Sequence, residues 1–140
     1  MRVALDADVM VAAVRSRLGA SRAWVHAILS GEADLLLSVP LVLQYEAVLT
    51  RPEQLTASGA SIEQIAALLD ALCAVCTPVE ISFLWRPVLR DADDEMVLEV
   101  AVNGRADRLL TSNERDFAGA QRLGVTVERP GPAWRSWRRG

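Results

Sequence analysis

Apolar runs of strand type that alternate with helix-patterned stretches predict an α/β fold: a parallel sheet of about five strands in a three-layer α/β/α sandwich. Two further observations support it. The 51% apolar and 24% charged composition of the 140 residues is that of one compact domain with a single core. Proline, glycine and capping residues also punctuate the chain where helices should start and stop.

The first strand, residues 2–5, ends at Asp6. Residues 20–29 follow with helical periodicity, and Gly31 is a natural stop. Residues 34–38 (DLLLS) form a buried-strand candidate. Pro40 opens a helix through about Thr50, which Pro52 ends, because proline suits a first turn and disrupts later ones. Ser61 and Gln64 make a capping box ahead of a helix over residues 65–75. Residues 77–81 are the third strand. An acidic cluster, DADDEMVL at residues 91–98, begins a helix over 92–102 that Gly104 closes. Residues 108–111 and 125–128 supply the last strands. From about residue 129 a short tail carries four arginines, two tryptophans and no acid. Such a tail could grip phosphates and stack on bases, or dock its tryptophans on the body.

Several function classes fall away on composition. All 15 basic residues are arginine, which removes the P-loop lysine, Schiff-base chemistry and Ser-Lys dyads. His26 is the single histidine and lies in a helical pattern, so a Ser-His-Asp site is disfavoured. Cys73 and Cys76 have no second cysteine pair and read as core residues rather than a redox or zinc motif. No apolar run approaches the roughly 18 residues of a membrane span, and the start MRVALDADV lacks a secretory h-region and cleavage site. A soluble, cytoplasmic protein is expected.

Carboxylates are the remaining chemistry, and several stand where a charge is costly. Asp6 has apolar neighbours on both sides. Glu46 shares a helix face with Val42, Leu43 and Leu49, which should turn it inward. Asp94 precedes Val97, Leu98 and Ala101 along an apolar stripe; Asp91 is better placed to cap, and Asp93 shares part of the stripe. TSNERDF, after the fourth strand, puts Asn113 and Asp116 at another strand end. In open parallel sheets, ligands gather beyond the carboxyl ends of the strands. Four acids pointing there repel one another and need a compensating charge. Arginines could supply it as an ion-pair cluster. A hard divalent cation, Mg²⁺ or Mn²⁺, held by oxygen ligands is the more economical solution, and it suits phosphodiester hydrolysis.

Asp6 in LDADV, Glu46 in LVLQYEAVLTRP, Asp94 in DADDEMVLEVA and the loop TSNERDF together resemble the PIN domain, most closely the PIN-domain toxins of bacterial toxin–antitoxin pairs, over residues 3 to about 127. The resemblance implies a PIN-like sandwich and Mg²⁺- or Mn²⁺-dependent ribonuclease activity leaving a 5′-phosphate and a 3′-hydroxyl. It also implies frequent homodimers and inhibition by a cognate antitoxin. Carried over, Asp6, Glu46 and Asp94 hold metal and orient water. Asp116 or Asn113 takes the fourth position, and Thr111 and Ser38 are hydroxyl supports. Two departures stand out. Asp8 occupies a place where the family usually has asparagine, and Asn113 one where many members have aspartate, so a one-metal resting site is expected.

Two rival readings compete. DADVM after an apolar strand also fits the DxDxV nucleophile motif of haloacid-dehalogenase-type phosphatases, with Asp6 phosphorylated and Asp8 as acid or base. That family needs a downstream lysine, which this chain lacks. The other rival is a PIN fold kept as a non-catalytic interaction module.

Overall fold

The computed structural model describes residues 1–81, 89 and 92–140. Strands β1 (Arg2–Leu5), β2 (Asp34–Leu37), β3 (Thr77–Pro78), β4 (Arg108–Leu110) and β5 (Val127–Glu128) form one sheet in the order β3-β2-β1-β4-β5. Every neighbouring pair is parallel. The chain lays strands outward from β1 to β3, then begins again at β4 on the other side of β1. The winding therefore reverses between β1 and β4, where an open parallel sheet leaves a crevice. The strands are nearly continuous apolar runs because both faces are covered: Val3, Ala4, Leu5, Leu35, Leu36, Leu109 and Leu110 are fully buried.

The helices are α1 (Ala7–Arg15), α2 (Ala20–Leu29), α3 (Val39–Leu49), α4 (Pro52–Ser58), α5 (Ile62–Val75), α6 (Ala92–Asn103) and α7 (Pro130–Arg139). Right-handed crossovers run in opposite directions on the two sides of the reversal, which puts α1–α5 on one face and α6 on the other. Accordingly α5 packs on β2, whereas α6 packs on β1, β2 and β4. The five-stranded parallel sheet between helical layers is the predicted architecture.

Several elements differ from the sequence expectation. Helix α1 is not among the predicted elements: α2, α3 and α4 pack on it, and its polar residues stand only near its ends, although Ala7, Val9, Met10 and Ala13 form a buried face at helical spacing. Pro52 does more than end α3: it takes the first turn of α4, where its missing N–H costs nothing. Strand β3 stops at Pro78, two residues into the predicted run, on the edge of the sheet where proline is tolerated. The capping box is formed as predicted. The Gln64 amide donates to Ser61 Oγ at 3.1 Å and the Ser61 amide to Gln64 Oε1 at 2.9 Å. Helix α5 buries Ile65, Leu69 and Leu72, which leaves Cys73 exposed, not the core residue expected, while Cys76 is half-buried against the core. Asp91, expected to cap α6, lies outside the described residues.

The C-terminal residues form α7, which docks on α2. Trp24, fully buried, stacks on Trp137 at 4.9 Å and meets Trp134 edge-on at 5.3 Å. Its indole N–H donates to the Pro130 carbonyl at 3.0 Å. Arg138 lies over both α7 tryptophans and bonds Glu32 at 2.6 Å. These rings are occupied by packing, so docking wins over base stacking. After α6, Gly104 sits where an added Cβ would be 2.8 Å from a Leu36 methyl, 2.9 Å from the Val100 carbonyl and 2.9 Å from a Val79 methyl. Glycine is required there for close approach of backbone to sheet, while the left-handed turn falls on Arg105. Among the described residues, no single helix is long and apolar enough to cross a membrane.

Candidate active site

The reversal between β1 and β4 brings together the residues that follow each strand. Asp6 follows Leu5, Thr111 follows Leu110, and the Asp6 amide donates to the Leu110 carbonyl at 2.9 Å. Asp6 is also the N-cap of α1. One carboxylate oxygen accepts the Ala7 N–H at 2.8 Å, and the other accepts the Thr111 hydroxyl at 2.9 Å. Asp6 is only 8% exposed and Thr111 is fully buried, so this pair is fixed by the scaffold. Asp8, in the first turn of α1, accepts the Ser112 amide at 3.2 Å, and Thr111 Oγ1 approaches it at 3.5 Å. Thr111 in turn accepts the Asn113 amide at 3.1 Å. The start of α1 favours negative charge through its dipole, and its Ala7 amide is already committed to Asp6.

Those donors do not offset the cost of the charge. Burial first, then the neighbouring charges of Asp8 and Asp94, push the Asp6 carboxyl up to about 7, against the lowering effect of Thr111 and Ala7. Asp8 is raised as well, chiefly by burial, with Asp116 adding to it and its bonds to Ser112 and Thr111 opposing. Asp94 is half-buried and Asp93 exposed. Of the two register choices, Asp94 is the one whose charge is felt at Asp6. Its helix buries Val97, Leu98 and Ala101 along the stripe that the sequence indicated. Asp116 and Asn113 are exposed and bonded to each other, Asn113 Nδ2 donating to Asp116 Oδ2 at 2.8 Å.

Two expectations change. Glu46 is exposed, not turned inward. The buried stripe of α3 is Leu41, Tyr45 and Leu49 at four-residue spacing, and Leu43, which shares the Glu46 face, is itself 57% exposed. Ser38 is buried, but its hydroxyl caps α3 by accepting the Leu41 amide at 3.3 Å; it serves the helix. Among the described residues, no three His, Cys, Asp or Glu side chains are close enough to form a ready-made metal cage. The predicted convergence of four acids therefore reduces to a tight Asp6–Asp8 pair, with Asp94 and Asp116 as electrostatic neighbours.

Two residues escaped sequence reasoning. The Tyr45 hydroxyl, fully buried, donates to the Leu5 carbonyl just ahead of Asp6, and burial together with Asp6 raises its pKa well above the usual value. Gln44 donates to the Asp93 carbonyl at 3.1 Å, tying α3 to the start of α6. The signal was present in LQYE: a tyrosine and an amide on the apolar side of a helix need buried partners. Arg15 and Arg17 line a cavity of about 410 Å³ at the far end of α1 with Arg22 and the exposed His26. Arg115 is exposed in the turn after β4.

The donor set suits a hard cation. Both members of the central pair offer carboxylate oxygen, and among the described residues no guanidinium pairs with either of them. Mg²⁺ characteristically uses one or two carboxylates and keeps several waters, so the pair fits a hydrated ion without a complete protein cage.

Known proteins agree with this architecture. A crystal structure of FitAcB from Neisseria gonorrhoeae superposes with a TM-score of 0.53 at 18% identity, covering 93% of this chain and 98% of that one. That likeness is one of fold. No curated protein matches the chain. The PIN domain family model matches residues 2–115, a span that takes in Asp6, Glu46, Asp94 and the Thr111 loop, and the chain therefore belongs to the PIN domain family.

Proposed function

We propose that this protein is a Mg²⁺- or Mn²⁺-dependent ribonuclease that hydrolyses single-stranded RNA, and the toxin of a toxin–antitoxin pair. One observation carries the nuclease reading: a buried, scaffold-fixed Asp6 stands beside Asp8 and Asp94 at the sheet's reversal with no guanidinium on the central pair among the described residues.

Asp6 and Asp8 would hold the cation, with Asp94, Glu46 and Asp116 as further oxygen donors through protein or water. Bound there, a dication supplies charge stabilisation at a phosphoryl oxygen and lowers the pKa of water. The chain's own residues perform the rest. Thr111 and the Ala7 amide fix both oxygens of Asp6, so the carboxylate cannot turn away from the groove. Asp8, less buried than Asp6, is placed to orient an attacking water and, in its ionised form, to take its proton. The N-terminus of α1 favours the phosphate itself. The toxin assignment, an antitoxin partner, a homodimer and a cytoplasmic location rest on the motif resemblance.

The test is cleavage of a panel of single-stranded RNAs by the full chain with Mn²⁺. Products with 5′-phosphate ends that vanish with EDTA and in Asp6→Asn and Asp94→Asn variants are expected. Folded protein that cuts no RNA would return the interaction-module reading. Turnover of a small phosphomonoester with a phosphate trapped on Asp6 would favour the phosphatase.

A further inference from the structure

Beside the carboxylates lies a second cavity, of about 310 Å³, whose chemistry is the reverse of theirs. It opens one turn along α1 from Asp8, at Ala12, roughly 6 Å down the axis on the same helix face. Ser112, whose amide bonds Asp8, forms part of its wall. Ser16, Gly19, Ser21, Arg129 and Gly131 complete the polar lining, and no acid lines it among the described residues.

Two helices of ten residues each begin at this cavity. Helix α2 starts from Gly19 and α7 from Arg129, and neither N-cap supplies a side-chain hydrogen bond. The first-turn amides of Ala20 and Ser21 have no partner among the described residues. In α7, prolines at 130 and 132 have no N–H to give, leaving the Gly131 amide as the free donor of that turn. Beyond its amide, the Ser21 side chain also bears on the cavity: the residue is only 7% exposed. It lines the cavity, and its hydroxyl makes no hydrogen bond to any described residue. With no protein partner, that hydroxyl is left to water or to a ligand atom entering the cavity. The exposed Arg129 pairs with no carboxylate among the described residues.

We infer that this cavity is a phosphate subsite: the amides of Ala20, Ser21 and Gly131, the Ser21 hydroxyl and the Arg129 guanidinium hold the backbone phosphodiester next to the one that is cut. The inference rests on the ribonuclease reading for its natural ligand, while the anion site stands on its own donors. It also answers a difficulty of the acidic groove, which by itself repels a polyanion. A fixed positive anchor one turn away holds the strand against that repulsion and sets which linkage faces Asp6.

Position 19 offers a test that separates charge from folding. A Cβ there would meet only Ser16, at 3.4 and 3.7 Å, and the residue has extended dihedrals suited to an N-cap. Gly19→Asn and Gly19→Asp both cap α2 equally well, but only the aspartate puts a negative charge at the anion position. With EDTA present to block cleavage, a labelled single-stranded RNA should bind Gly19→Asp about tenfold more weakly than Gly19→Asn, with both variants at least as heat-stable as the parent. Arg129→Gln should flatten the slope of log affinity against log salt by about 0.7. Inorganic phosphate should shift the amide resonances of Ala20, Ser21 and Gly131 in the parent and not in Gly19→Asp. Equal RNA affinity of the two position-19 variants overturns the inference while leaving the nuclease reading intact. If the parent neither cuts nor binds RNA, the nuclease reading falls, and the phosphate titration decides the anion site: shifts at those amides uphold it, and their absence overturns it.

Discussion

Asp6 makes a specific statement about pH. Its folded-state pKa is raised from 3.8 to about 7, so between those values the folded protein holds a proton that the unfolded chain has lost. Stability of the metal-free protein therefore falls as pH rises through that window, by at most on the order of 4 kcal/mol. Asp6→Asn removes the ionisable group and should keep the capping bond to Ala7. Urea unfolding in EDTA should show this variant more stable than the parent at pH 8 and nearly equal at pH 4.5. An equal difference at both pH values would mean that Asp6 does not carry the strain. Glu46 makes the complementary case. Being exposed, it should leave stability within about 0.5 kcal/mol when changed to glutamine, while RNA cleavage is lost. Undiminished cleavage by Glu46→Gln would remove it from the donor set.

At the level of elements, local rules and burial were legible to different degrees. Ala20–Leu29 could be read to the residue because α2 is amphipathic, with Trp24, Val25 and Ile28 inward, and because Gly31 takes a left-handed turn at φ 84°. Helix α1 went unassigned although its buried residues Ala7, Val9, Met10 and Ala13 follow helical spacing, because its polar residues, Asp8 and Arg15, stand only near its ends. Helix α7 falls in the Arg/Trp tail, to which the sequence assigns no element, and Pro130 and Pro132 occupy its first turn. Its role is now measurable. Trp24→Ala should cost about 3–5 kcal/mol in denaturant unfolding, because the stacked partners on α7 and the bond to Pro130 lose their support together. A loss under 1 kcal/mol would show that α7 docks without contributing to the core.

For the whole molecule, the arithmetic of charge and the winding of the sheet decide how much of the site could be foreseen. The absence of lysine narrowed the chemistry to carboxylates, and strand ends told where they gather, so Asp6, Asp94 and the Thr111 loop were legible. The inward turn of Glu46 was not, because helical spacing gives which neighbours share a face but not whether that face is covered. The anion cavity was also invisible, since it is made of backbone amides from α2 and α7 that only the tertiary fold brings together. Divalent-ion linkage tests the assembled site. Mn²⁺ at about 100 times its dissociation constant should stabilise the parent by about 2.7 kcal/mol. The thermal shift should be larger at pH 8 than at pH 5.5, since protons compete for the same oxygens, and absent in Asp6→Asn. An equal rise in that variant would place the ion elsewhere.

Gly104 ties the chemistry to a spot far from it. Helix α6 runs 12 residues, roughly 18 Å, as a rigid rod with Asp94 near one tip and the glycine just past the other. Gly104→Ala would wedge a methyl group between that far end and Leu36 and Val79, tilting the rod like a seesaw. The expected result is a protein that unfolds at lower temperature and cuts RNA poorly, with every carboxylate still in place. A fully active Gly104→Ala protein would mean that the rod bends instead of pivoting.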